Sequence, residues 1–385
     1  MPVHHQLIPT RLRNLIGVGL LCLASGCATR STTGPETDHI FYPPAPQPPR
    51  LQFLVSFSNN KDLGGGPGKF ATLVAGKEPP TMMIRKPYGL ALNQNKLYVC
   101  DTAAGVIEVL DLEKRKMHAF APAGEGQFRT PVNIAIDRDG TRYVADTGRG
   151  QVLIYSANES FLGAIGQVMS VNSPDGNSAA TNSAAMRKPK TGMKPTDVAV
   201  DANRIYVSDL DNHCVRVYAK TTRELLFTIP KDVGDPKAKL VAPTNLTLDS
   251  QGRVYASDLA EFCVQEYDAE GKHIRRFGQG AGDRPGEFAR PKGVAVDREG
   301  RVFIVDAATQ VVQMFDAEGN LLLFFGEPKA SAAPLELPAK VVVDYDHVHL
   351  FQKYAAPGFQ LDYLVLVSNQ LGNRKVSVYG FGHKQ

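Results

Sequence analysis

Strong charge of one sign is missing from this sequence. Forty-three Lys and Arg against 39 Asp and Glu leave a net charge of +4, spread evenly along the chain. That excludes the basic patch of a nucleic-acid binder. The apolar run near the N-terminus, Leu15–Leu23, is too short to span a bilayer comfortably. Cysteine occurs five times and never as C-x-x-C-H, so c-type haem attachment is excluded. G-x-S-x-G, H-E-x-x-H and P-loop signatures are absent as well. What is plentiful is glycine, 35 residues, and proline, 26, as a chain of many tight turns requires.

The organising unit is clearest at Arg290–Gly326. Four short segments, Gly293–Asp297, Val302–Asp306, Val311–Phe315 and Leu321–Phe325, read as strands separated by turn signals such as Arg298-Glu299-Gly300 and Asp316-Ala317-Glu318-Gly319. No segment here has the length or 3.6-residue period of a helix. Such a meander cannot cover both of its faces alone, and it repeats. The second strand ends Tyr98-Val99-Cys100-Asp101, Tyr143-Val144-Ala145-Asp146, Tyr206-Val207-Ser208-Asp209, Tyr255-Ala256-Ser257-Asp258, Phe303-Ile304-Val305-Asp306 and Leu366-Val367-Ser368-Asn369. A proline opens each first strand: Pro87, Pro131, Pro195, Pro243, Pro291 and Pro338.

The sixth copy has three strands, the last at Lys375–Tyr379. The alternating segment Leu51–Ser58, which has no partner in the repeat phase, supplies the fourth. Closing a ring this way leaves no open edge between first and last blades. The sequence therefore predicts an all-β fold: a six-bladed β-propeller of four-stranded antiparallel blades, the last closed by an N-terminal strand, over residues 50–385.

The pattern P-x-G-[VLI]-A-[VLI]-D, then [VI]-[YF]-[VI]-[AS]-D, then [VI]-x-[VM]-[YF] resembles the NHL repeat, from about Pro87 to Gly382. The resemblance implies the propeller and says little of function, since relatives include ligand-binding domains, interaction modules and a few enzymes. The related lyase acting on peptidylglycine uses several axial histidines for zinc; here no first strand begins with His. Four copies depart from the pattern where glycine usually follows the proline by two residues. That position holds Gly89, Asn133, Asp197, Asn245, Gly293 and Lys340. These residues are expected to ring the mouth of the central channel, and Asn133, Asp197, Asn245 and Lys340 are the candidate ligand-binding residues.

The repeated aspartates suggest an acidic ring, but the expectation is structural: each carboxylate accepts backbone N–H groups as the chain leaves the second strand. Two insertions interrupt the repeats. Gln167–Met193 is Ser/Asn/Ala-rich and shares a face with the first-strand starts. Tyr345–Leu361 lengthens the first hairpin of blade six and puts His347 and His349 on one face of a strand, two ligands where a structural metal site needs more. Cys214 and Cys263 occupy matching positions in adjacent blades and, with Cys100, are expected as buried thiols. No catalytic residue, metal or cofactor is implied.

Residues 1–27 read as a targeting segment. Arg11 and Arg13 precede the apolar run, which ends Leu23-Ala24-Ser25-Gly26-Cys27. This resembles a bacterial lipobox and implies lipidation at Cys27; Ala28 after it implies outer-membrane sorting, with the periplasmic or cell-surface side left open. Residues 28–49, rich in Thr and Pro, are expected as a tether. The function expected is that of a membrane-anchored binding or scaffold propeller of the bacterial cell envelope, recognising a protein, glycan or other ligand at the channel mouth and no nucleic acid. The alternative is a metal-dependent hydrolase or lyase with its site at that mouth.

Overall fold

The structure, a computed structural model, describes residues 39–64, 80–166, 192–232, 234–328 and 331–384. The targeting segment, Cys27 and residues 167–191 of the first insertion lie outside them. The described part is a ring of six antiparallel sheets. Blade one comprises Pro87–Asn93, Lys96–Asp101, Val106–Asp111 and Lys116–Phe120, and four further blades begin at Pro131, Pro195, Pro243 and Pro291. Blade six runs Pro338–Asp344, Phe359–Asn369 and Val376–Lys384, and its fourth strand is Leu51–Phe57. The last pairing joins Leu51 to Phe381 and Phe57 to Val376. The N-terminal closure expected from the orphan strand is therefore present.

Closure extends further than expected. Phe41–Tyr42, inside the stretch assigned to the tether, forms a fifth strand on Leu51–Phe57. Tyr42 is buried and packs with Phe325 and Tyr379 between blades five and six. Phe41 meets Phe359 edge-on. Aromatic rings at alternate register supply the burial that makes a short pairing hold. The Tyr345–Leu361 insertion is also different from its expectation. It forms a short helix, Val348–Phe351, and a 3-10 turn, Gln352–Tyr354, so His347 and His349 do not share a strand face. His347 bonds Asp344 through Nδ1 at 2.9 Å and accepts the Asn95 N–H at Nε2. Phe351 is buried against Phe57, which is why this segment folds back as a helix.

Strand alternation builds the core. In blade one Tyr98 and Cys100 face blade two, whereas Leu97 and Val99 face blade six. Each seam between adjacent blades consequently has its own buried cluster, six in all among the described residues. The blade is the folding unit, but the apolar surface is removed from water only between blades.

The repeated proline and acid are one device. Pro87 faces Asp101 in the ladder, and the same pairing recurs down to Pro338 facing Asn369. Asp101 accepts the N–H groups of Arg85 and Lys86, which precede the first strand, and those of Ala103 and Ala104, which follow the second. Asp306 holds Ala289, Arg290, Ala308 and Thr309 in the same way. One buried carboxylate thus ties the incoming connector to the outgoing turn. Asn369 does the work with two groups: Oδ1 accepts the Glu336 N–H, and Nδ2 donates to Arg374 O.

Candidate functional site

Immediately after each of the six prolines the ladder register shifts. A bulge re-aims the side chains that follow it, here those at the start of the innermost strands. These strands contact one another successively round the ring, the sixth returning to the first. Their crowding decides which residues fit. A Cβ on Gly89 would lie 2.5 Å from Asn133 Cα, and one on Gly293 would lie 2.6 Å from Val341 N. Glycine at these two positions is a requirement of close approach, not of turn geometry.

The four polar alternatives do not ring an open mouth. Asn133, Asp197 and Asn245 are wholly buried and Lys340 is 7% exposed. They bond within the molecule. Lys340 Nζ lies 2.5 Å from Asp197 Oδ2, and blades six and three stand opposite each other in the ring. The same oxygen accepts Asn245 Nδ2 at 3.3 Å and the Leu246 N–H at 3.0 Å. Asp197 Oδ1 accepts the Val198 N–H. Asn133 Nδ2 donates to Thr196 O at 2.7 Å, leaving its Oδ1 without a partner. The physical reason is convergence: six strand starts aimed at one axis are close enough to satisfy one another, and buried polar groups left unpaired are costly. Three of the four candidates, Asp197, Asn245 and Lys340, join one network; Asn133 stands beside it.

Sequence reasoning passed over the residues one step closer to the strand starts. Tyr88 in blade one donates its hydroxyl to Asn245 Oδ1 in blade four, a second contact between opposite blades. Lys292 of blade five lies 4.6 Å from the Tyr88 ring centroid, with Nζ 3.4 Å from its hydroxyl. Lys292 is 8% exposed, and its ammonium has no carboxylate partner among the described residues. Burial, reinforced by Arg290 and Lys86, lowers its pKa to about 8. Burial also raises the Tyr88 phenol, with Asp197 adding to the effect. The arrangement is a buried axial plug whose one acid, Asp197, is already paired with Lys340, with a second cation and an aromatic ring next to it that can attract an anion. The legible signal was Lys292 itself, a charge at a strand position where the other copies have Tyr, Val, Thr, Thr and Ala.

Among the described residues no group of three or more His, Cys, Asp or Glu side chains could hold a metal. The repeated aspartates are engaged with backbone N–H groups. Cys100, Cys214 and Cys263 are free thiols, and burial pushes Cys214 and Cys263 up to about 12. No helix among the described residues is long and apolar enough to cross a membrane.

The fold is that of a six-bladed β-propeller. The NHL repeat family model matches residues 193–218, which span the start of blade three through its third strand. A solved protein of unknown function from Bacteroides thetaiotaomicron is similar at 15% identity and a TM-score of 0.50, over 77% of this chain and 70% of that one. Virginiamycin B lyase from Staphylococcus aureus is similar at 10% identity and a TM-score of 0.47, over 78% and 85%. A streptogramin B lyase is similar at 12% identity and a TM-score of 0.49, over 77% and 93%. At such identities the likeness concerns the fold alone. No curated protein matches the chain by sequence.

Proposed function

We propose that this chain is a binding propeller anchored to a bacterial outer membrane through lipidated Cys27, and that its channel-mouth face receives an acidic group on an envelope protein or glycan. One observation carries the reading: the Lys292 ammonium sits buried over Tyr88 without a counter-ion among the described residues. Taking an ammonium out of water is unfavourable unless a negative partner compensates it. Elsewhere in the axis that compensation is internal, since Lys340 has Asp197. At Lys292 it is left for a ligand, and exposed Arg290 and Lys86 on the adjoining connectors add to the positive field.

The axial plug supports recognition over turnover. Its carboxylate is occupied by an ammonium and three N–H donors, so it is not poised to abstract a proton or to ligate a cation. The test is calorimetric titration of the purified chain with polyglutamate and, separately, with an oligouronate. Binding by one of them, weakened at high salt and at least tenfold by Lys292→Met, is the expected result; failure of both removes the reading. Replacing Cys27 with Ser should release the protein from membranes, and retention there would remove the anchor.

A further inference from the structure

A second site lies away from the axis, in the seam that closes the ring. The third strand of blade one reads Val-Ile-Glu-Val-Leu-Asp over Val106–Asp111. Alternation sends Ile107 and Val109 toward blade two and Leu110 toward blade six. Glu108, two residues from Leu110, shares its side, so a carboxyl group stands in an otherwise apolar seam. It is 6% exposed, makes no hydrogen bond or ion pair among the described residues, and its Oε2 is fully buried and unpartnered.

The equivalent residues in other blades show what is unusual. Seven positions after the repeated aspartate come Leu153, Arg216, Gln265 and Gln313. Gln265 donates to Lys237 O and Lys239 O, and Gln313 donates to Glu287 O and accepts from Gly286 N, so both stitch a connector to the blade. Arg216 pairs with Asp209. Leu153 simply packs. Glu108 alone of these is polar and unsatisfied. It opens instead on a cavity of about 710 Å³. Met82 and Met83 form an adaptable apolar wall, while Arg85, Asn373 and Lys375 line other parts of it. Lys375 directs Nζ to Gln370 O, and Arg85 is exposed.

We propose that this cavity binds a small zwitterionic ligand of the amino-acid or short-peptide class, its ammonium on Glu108, its carboxylate toward Arg85 and Lys375, and its apolar side chain on Met82 and Met83. The reasoning is complementarity. A carboxylate acceptor with no internal donor is satisfied best by a cationic one, and a charge-assisted bond there is stronger than a neutral one. The two cations on the same cavity disfavour a ligand that is only cationic and favour one with an anionic end. Burial, with Asp101 adding to it, raises the Glu108 carboxyl to about 7, so ammonium binding at lower pH must displace a proton.

Calorimetry on the purified chain with L-leucine and with leucyl-leucine tests this, against leucinamide, which lacks the carboxylate, and 4-methylpentanoate, which lacks the amine. Leucine or its dipeptide should bind at least tenfold more tightly than 4-methylpentanoate, and leucinamide should bind more weakly than leucine. For leucine, in two buffers of different ionisation enthalpy at pH 6, binding should release close to one proton, falling toward none at pH 8.5. Glu108→Gln should lower affinity at least tenfold and abolish the proton release. Glu108→Leu, which copies Leu153 of blade two, serves as a second variant if the first does not fold. No binding by leucine or the dipeptide, equal binding of 4-methylpentanoate, or unchanged binding by a folded Glu108 variant would overturn the proposal.

Discussion

Lys340 and Asp197 stand 143 positions apart in the chain and meet across the propeller axis, ammonium nitrogen to carboxylate oxygen at 2.5 Å. Both are buried, so the pair is worth little beyond what it cost to desolvate, yet breaking it is expensive. Lys340→Met should therefore destabilise the fold by about 3–5 kcal/mol, because Asp197 then keeps an uncompensated charge. The double variant Lys340→Met/Asp197→Leu should recover most of that loss. Urea unfolding of the three proteins measures it; equal stability of single variant and wild type would show that the pair is not closed in solution.

Lys292 predicts the opposite sign. Its folded pKa is lowered to about 8 from an ordinary value of 10.5. Between those two values the unfolded chain binds more protons than the native one, so stability from this group rises with pH across that window. Below it the penalty is constant. Lys292→Met should melt higher than wild type at pH 7, and the gap should close as pH approaches 10.5. A lower melting point at pH 7 would place an internal counter-ion on Lys292.

Glu108 gives a window nearer neutrality. Its pKa is raised from 4.5 to about 7, so the native state holds the proton that the unfolded state has already lost. Stability contributed by this group falls as pH rises from about 4.5 through about 7 and is flat above that. Thermal melts of Glu108→Gln against wild type should converge at pH 4 and separate by pH 8, with the variant the more stable. Parallel curves would mean an unshifted carboxyl.

The repeated aspartate should tolerate amide better than methyl. Asp146 accepts the N–H groups of Arg129, Thr130 and Arg149. Asp146→Ala orphans these donors, at roughly 1–3 kcal/mol for each that water does not reach. Asp146→Asn should retain much of the stability, since Asn369 already fills this place in blade six. Chemical denaturation of both variants decides it; equal losses would deny the clamp its role.

Gly293→Ala tests the crowding at the axis. The added Cβ would meet Val341 N at 2.6 Å and Lys340 Cα at 2.7 Å, both backbone atoms that cannot swing aside. Overpacking of this kind costs about 1–3 kcal/mol or more. A variant as stable as wild type would mean that the innermost strands can separate.

Much of this molecule was legible in the residues. The Pro-to-Asp spacing gave the blades because strand pairing is local: Pro87 and Asp101 face each other whatever the rest of the ring does. The orphan Leu51–Ser58 gave the closure because a three-stranded copy lacks one edge. The strand at Phe41–Tyr42 escaped notice because proline-rich flanks mask two residues whose ring partners, Phe359 for Phe41 and Phe325 and Tyr379 for Tyr42, lie hundreds of positions away. The helix at Val348–Phe351 escaped because four residues are too few to show a period.

The site divides along the same line. That the second residue after each proline would vary, and matter, was visible by comparing copies within the chain. Whether Asn133, Asp197, Asn245 and Lys340 would face water or one another was not, because the answer depends on how closely six strand starts converge. Likewise the sequence shows Glu108 as one acid in an apolar strand, but not that its sister residues are stitched to connectors while it faces a cavity. Local hydrogen-bond register determined the repeat, and the sequence carried it. Ring closure determined which charges found partners, Lys340 with Asp197, and which were left without one among the described residues, Lys292 and Glu108.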